Sequence, residues 1–174
     1  MAEHGVVFEV IPSKKEECAD KNLPPREYCE KLAEFKAQDV FSSHGGVVLG
    51  ADTIVVLDGA VLGKPKTKEE ARRTLMSLSG REHQVITGYC LIYGSNLTDR
   101  IIKSAVTTVR FNALSQNLID EYVNTGKPMD EAGSYGIQDG FPLVDSVDGS
   151  ISNVIGLPIE EIIPILKEIE NEQS

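Results

Sequence analysis

The sequence predicts an α/β fold with a mixed sheet, and three observations predict it. Short apolar runs such as Val47-Val48-Leu49 and Ile54-Val55-Val56-Leu57 have the length of buried strands. Apolar stripes at helical spacing occur between them, as in Ala71, Leu75 and Leu78 or Ile159, Ile162, Ile163, Leu166 and Ile169. The two kinds of element are interspersed without strict alternation, which favours a mixed sheet.

The central stretch is Val47-Val48-Leu49-Gly50-Ala51-Asp52-Thr53. It runs from apolar and small residues into a carboxylate. An acid at the end of a buried strand must be paired, bind metal or meet solvent at a cleft. Ile54 to Leu57 continues as strand, Asp58-Gly59 is a two-residue hairpin turn, and Ala60-Val61-Leu62-Gly63 returns. Counting from the turn pairs Leu57 with Ala60 and Thr53 with Lys64. Asp52, Thr53 and Lys64 then converge at one strand end. The same spacing also describes a surface hairpin with one salt bridge.

The remaining elements follow in order. Val6 to Ile11 reads as a strand ended by Pro12-Ser13, and Lys14 to Asn22 as a polar loop carrying Glu16 and Glu17. Two adjacent acids in a loop are ordinarily solvated. Pro24-Pro25 opens a helix to about Val40, with Cys29, Ala33, Lys36 and Val40 on one face. A lysine in such a stripe commonly snorkels to water. The alternative points its ammonium into a cleft beside Asp52. Thr67-Lys68-Glu69-Glu70 is a capping box that starts the next helix, ended by Ser79-Gly80. Residues 83–93 form a long strand whose Gly88 marks a bulge, and it pairs antiparallel with Ile101 to Phe111. Leu114-Ser115 opens a helix that ends near Gly126, with Leu114 stapling to Ile119. A glycine-punctuated loop, Gly133-Ser134-Tyr135-Gly136-Ile137-Gln138, comes next. Pro142 to Val147 and Ser150 to Ile155 read as short strands joined at Asp148-Gly149, and Pro158 opens the last helix.

Composition narrows the class. The chain has 174 residues, 41% of them hydrophobic and 25% charged, which suits one globular domain over 1–174. A net charge of −10 argues against nonspecific nucleic-acid binding but allows an anionic small molecule at a local lysine cluster. No apolar run is long enough to span a bilayer, so no membrane partner is expected. Cys18, Cys29 and Cys90 lack metal-like spacing. An odd count without a secretory pattern points to reduced thiols and a cytoplasmic setting. His4, His44 and His83 form no triad or zinc signature.

Several stretches, in order, carry a resemblance. They are Leu32-Ala33-Glu34-Phe35-Lys36-Ala37, Gly50-Ala51-Asp52-Thr53, Gly63-Lys64-Pro65 and the run from Ser79-Gly80-Arg81-Glu82-His83 to Thr87-Gly88. Pro128-Met129-Asp130-Glu131-Ala132-Gly133-Ser134-Tyr135-Gly136-Ile137-Gln138 and Asn153-Val154-Ile155-Gly156-Leu157-Pro158 complete the set. Together they resemble the Maf family of nucleoside triphosphate pyrophosphatases over nearly the whole chain. The resemblance implies a mixed, twisted sheet flanked by helices, with two lobes around a cleft. It implies hydrolysis of a nucleoside triphosphate to the monophosphate and pyrophosphate with a divalent metal, usually magnesium. Asp52 matches the acid that accepts the proton of the attacking water. Glu16 matches an acid that holds metal together with Asp52, Lys36 and Lys64 match phosphate-contacting lysines, and Thr53 and Gln138 match residues tied to base choice. The Tyr-Gly-Ile-Gln form looks like the subgroup acting on dTTP and UTP. A homodimer is a candidate assembly.

The independent chemistry agrees, since phosphoryl transfer needs positioned cations, hard oxygens for a metal and an oriented water. Two departures stand out. The family begins with a strand running into a Ser-Pro-Arg-Arg-like loop, whereas Met1 to Gly5 aligns near the end of the following helix. Weak nucleotide binding and poor turnover are expected of a chain that is short there. Glu131 stands where the family usually has lysine, a charge reversal near the substrate-side loop. Two alternatives stay open: an inosine triphosphate pyrophosphatase-like activity, and a catalytically weak nucleotide-binding or regulatory protein.

Overall fold

The computed structural model describes residues 5–14 and 19–172. The elements are α1 (Pro25–His44), β1 (Val48–Leu57), β2 (Ala60–Leu62), α2 (Lys68–Leu78), β3 (Glu82–Ile92), β4 (Arg100–Phe111), α3 (Gln116–Asn124), β5 (Val144–Asp148), α4 (Ile151–Ile155) and α5 (Ile159–Glu172). The strands lie in the order β2-β1-β3-β4-β5. The α/β class and the flanking helices are as the sequence implies. Within the described residues, however, every neighbouring pair is antiparallel, where a mixed sheet was expected. Short turns after β1 and β3 reverse the chain at once, and a reversal of that length can only lay strands antiparallel.

The turn chemistry fixes the first register. Asp58 and Gly59 both have positive φ, 52° and 80°, as a two-residue hairpin of this hand requires. The pairs Leu57–Ala60, Val56–Val61 and Val55–Leu62 follow, as counted from the sequence. β2 then leaves the ladder. Gly63 O instead accepts the N–H of Gly133 at 3.2 Å, so the strand's continuation is tied to the 130s loop.

Alternation along β1 gives the sheet two differently covered faces. On one face α1 lies directly on the strands: Cys29, Ile54, Val56 and Ile86 form one buried cluster, and Ala33, Ala37, Val48, Cys90 and Ile92 another. On the other, Val55, Leu57, Val85, Val109 and Phe111 meet Ala71, Leu75 and Leu78 of α2 and Ile119, Tyr122 and Val123 of α3. Leu114 and Ile119 join this cluster, as the expected staple requires. On β4, Ala105, Thr107, Val109 and Phe111 are all buried, as the sequence pattern predicts.

Gly88 is not a bulge. It pairs regularly with Asp52 on one side and Ser104 on the other. Its lack of a side chain serves close approach: a Cβ there would lie 2.5 Å from the carbonyl carbon and oxygen of Cys29. Gly50 does the same further along, where a Cβ would lie 2.5 Å from Ala33 O. Helix α1 therefore rests on sheet backbone at two points.

Two other expectations are corrected. Residues 6–11 form no strand, and Val7 and Val10 are 100% and 77% exposed. The run has strand propensity, but strand formation needs a partner and none is present among the described residues. Ser150 to Ile155 is not a strand but α4, because Ser150 Oγ accepts the Asn153 N–H at 3.0 Å and caps a single helical segment. Gly156, at φ 118°, ends it.

Candidate active site

β1 supplies the centre of the site. Because β2 stops at Leu62, the β1 edge before Val55 has no strand partner on that side among the described residues. A cleft of about 280 Å³ opens there, lined by Lys36, Asp52, Thr53 and Lys64 together with Glu131, Tyr135 and Gly156. Asp52 and Thr53 are consecutive in a strand and so point to opposite faces. The cleft wraps the edge and collects both.

On the α1 face, Lys36 Nζ donates to Asp52 Oδ1 and lies 3.4 Å from Ala51 O. Both side chains are largely but not fully buried. The lysine in the apolar stripe thus turns toward Asp52, which lies mid-strand in the continuous β1 and not at a strand end as the sequence suggested. The reason is local: the small residues Ala33 and Ala37 on either side bring the helix against Gly50, which leaves Lys36 within reach of Asp52. Lys64 reaches the same cleft from the segment after β2 and is exposed. The Thr53–Lys64 pairing expected from the hairpin count does not form, because the ladder ends at Val55–Leu62, but Lys64 still converges on the cleft.

Cys29 anchors this side in a way the sequence did not show. The Gly88 N–H donates to its Sγ at 3.0 Å, and the Sγ lies 2.9 Å from Asp52 O and 3.3 Å from Ile86 O. Burial pushes the thiol up to about 12, with the Asp52 charge adding to the effect. It is therefore a neutral donor.

On the opposite face, Thr53 Oγ1 lies 2.9 Å from Thr87 Oγ1 and 3.4 Å from Gly156 O. The 130s loop closes the wall with Asp130, Glu131, Ala132 and Tyr135. Burial raises the Glu131 carboxyl above its ordinary range, Asp139 and Asp130 add to this, and Lys64 opposes it. Tyr135 is braced from behind by His83, whose Nε2 lies 2.7 Å from the Tyr135 hydroxyl. Burial lowers His83 to about 4, so the ring is neutral.

The structure therefore brings together Lys36, Asp52, Thr53 and Lys64. Gln138 is exposed and does not line the cleft. Glu16 lies outside the described residues. Among the described residues no three His, Cys, Asp or Glu side chains group tightly enough to hold a metal by themselves. Asp52, with Asp130 and Glu131 on the same walls, still offers hard oxygen donors. That suits magnesium, which takes one or two carboxylates and fills its remaining positions with water and substrate phosphate.

The arrangement can hold a polyanion against two ammonium groups, with a carboxylate beside the point of attack. Comparison with known proteins gives the chain's relatives. A family model described as Maf-like protein matches residues 1–169. The dTTP/UTP pyrophosphatase of Thermococcus onnurineus (strain NA1) is 46% identical over 164 residues, 93% of this chain and 86% of that protein. That of Thermococcus gammatolerans (strain DSM 15229 / JCM 11827 / EJ3) is 47% identical over 163 residues, covering 93% and 85%. The dTTP/UTP pyrophosphatase of Bacillus pumilus (strain SAFR-032) is 43% identical over 165 residues, covering 94% and 86%.

Proposed function

Since the chain belongs to the Maf-like family, we propose that it hydrolyses nucleoside triphosphates, dTTP and UTP foremost, to the monophosphate and pyrophosphate. The observation that carries this reading is the convergence of Lys36, Asp52, Thr53 and Lys64 on one cleft at the β1 edge. The first, second and fourth suit a triphosphate, and the third faces the side left for a base.

In this reading the triphosphate lies along the Lys36 and Lys64 side, where ammonium groups offset the charge that builds as the α–β bond breaks. Asp52 accepts the proton of the attacking water. Lys36 orients that carboxylate, and Cys29 fixes the strand backbone beneath it. Water attacks the α phosphorus, the α–β bridging bond breaks, and pyrophosphate leaves with that bridging oxygen. The α1 face thus handles phosphate and the Thr53 face handles the base. A divalent cation, magnesium by donor type, would be held by Asp52, with Glu16 assigned to it by resemblance alone, and would neutralise phosphate charge. Gln138 is assigned to base choice by resemblance alone. Cytoplasmic location belongs to the same proposal, supported by Cys29 and Cys90 being free thiols.

The test is pyrophosphate release across a panel of nucleoside triphosphates with magnesium. UTP and dTTP should give the monophosphate and pyrophosphate. Diphosphate and orthophosphate as products would overturn the reading, and binding without any release would favour a regulatory protein.

A further inference from the structure

A hydroxyl has one proton to give, and at the cleft wall that count decides what Thr53 can offer a ligand. Thr53 and Thr87 face each other across the β1–β3 ladder with their Oγ1 atoms 2.9 Å apart. Thr87 is fully buried, and its Oγ1 donates to the backbone oxygen of Asn153 at 3.1 Å. Asn153 is fully buried as well and is held on three sides. Its Nδ2 donates to Val85 O at 3.1 Å and to Thr107 Oγ1 at 3.0 Å, and its N–H donates to Ser150 Oγ at 3.0 Å.

With the Thr87 proton directed at Asn153, the Thr53 proton must lie between the two hydroxyl oxygens, since two lone pairs facing at that distance repel. The other orientation sends the Thr87 proton to Thr53 and the Thr53 proton to Gly156 O at 3.4 Å. In both arrangements the Thr53 proton is used inside the protein. What remains for the cleft is a lone pair.

We propose that Thr87, anchored by Asn153, is a positioning residue that fixes Thr53 as the hydrogen-bond acceptor for the ring N3–H of a uracil or thymine base. The proposal rests on the reading of the site as one for UTP or dTTP. Cytosine carries a lone pair at N3, so Thr53 can meet it only by donating. That draws the Thr87 proton off Asn153 and onto Thr53, and the chain loses one hydrogen bond. A net hydrogen bond sets discrimination at roughly tenfold.

The experiment compares UTP with CTP in two ways: kcat/KM from pyrophosphate release, and binding of the non-hydrolysable α,β-methylene analogues by calorimetry. The wild type should prefer the uracil compounds. Thr87→Val keeps the shape but removes the hydroxyl, and should cut the UTP/CTP ratio roughly tenfold, through KM more than kcat. Thr87→Ser should restore the ratio. A loss of stability alone would lower both substrates equally, and that outcome overturns the proposal. So does an unchanged ratio in Thr87→Val, a wild-type preference for CTP, or wild-type analogue binding that is equal or absent. The binding arm separates the two readings: analogue discrimination without pyrophosphate release would overturn the enzymatic reading and leave the acceptor assignment standing.

Discussion

The sulfur of Cys29 sits 2.9 Å from the backbone oxygen of Asp52, so α1 grips the strand at the residue that carries the site's acid. The contact is possible because Gly88, the residue opposite Asp52, has no side chain to keep the helix away.

This thiol is predicted to be chemically silent in the native state. Iodoacetamide at pH 8 should modify Cys29 only after denaturant is added. The linkage has a definite sign. The folded-state value is raised from 9.0 to about 12, so the folded protein holds a proton that the unfolded chain releases. The stabilisation is complete below about pH 9 and is lost as pH rises toward about 12. Urea midpoints should fall over that range.

His83 sets the acid limit. Its value is lowered from 6.5 to about 4, so the unfolded chain binds a proton there that the folded protein does not. Stability should fall as pH drops from about 6.5 toward about 4, by roughly 2–3 kcal/mol for the whole interval. Nδ1 is buried without a partner among the described residues, so a charged ring would be poorly accommodated. Urea midpoints at pH 7 and 4.5 give the slope, and His83→Gln should flatten it.

Asp52→Asn keeps the shape of the acid but cannot accept a proton. Turnover of UTP should fall about 10²–10⁴-fold with little change in melting temperature. Lys64→Ala should cost about 10²-fold through lost stabilisation of the transition state. It should leave folding intact because the side chain is exposed. Steady-state kinetics with parallel thermal melts separate the two effects. Unchanged turnover in Asp52→Asn would remove its assigned role.

Gly88→Ala places a Cβ against the backbone of Cys29, which cannot rotate away. The helix must lift, and the cost should be about 3 kcal/mol, at the upper end for overpacking. The sharper sign is functional. A lifted α1 also separates Lys36 from Asp52, so activity should fall even under conditions where circular dichroism shows a folded protein.

Local patterns made much of this site legible. Asp58-Gly59 determined the hairpin register as far as Leu62, and beyond it the bond from Gly133 N–H to Gly63 O ties the segment leading to Lys64 to the 130s loop. The small residues flanking Lys36 allowed the helix to approach the strand closely. What the sequence hid depended on partners far along the chain. Gly88 could be read as a bulge because its helix neighbour is 59 residues away, as its bond to Cys29 records. Residues 151–155 have the composition of a strand. Ser150 made them a helix by capping Asn153, and nothing local announced that Asn153 would be buried against Val85 and Thr107. Cys29 gave no signal beyond lying in an apolar stripe.

The distances along the chain also set an order of assembly. Lys36 and Asp52 are 16 residues apart, whereas Thr53 meets Gly156 across 103. Closing the shorter loop costs less entropy, so the ammonium–carboxylate half can form while α4 is still undocked. A nascent or partly unfolded chain would then attract phosphate before it could tell one base from another. Discrimination between UTP and CTP, followed during refolding, would report completion of the fold more faithfully than phosphate binding does.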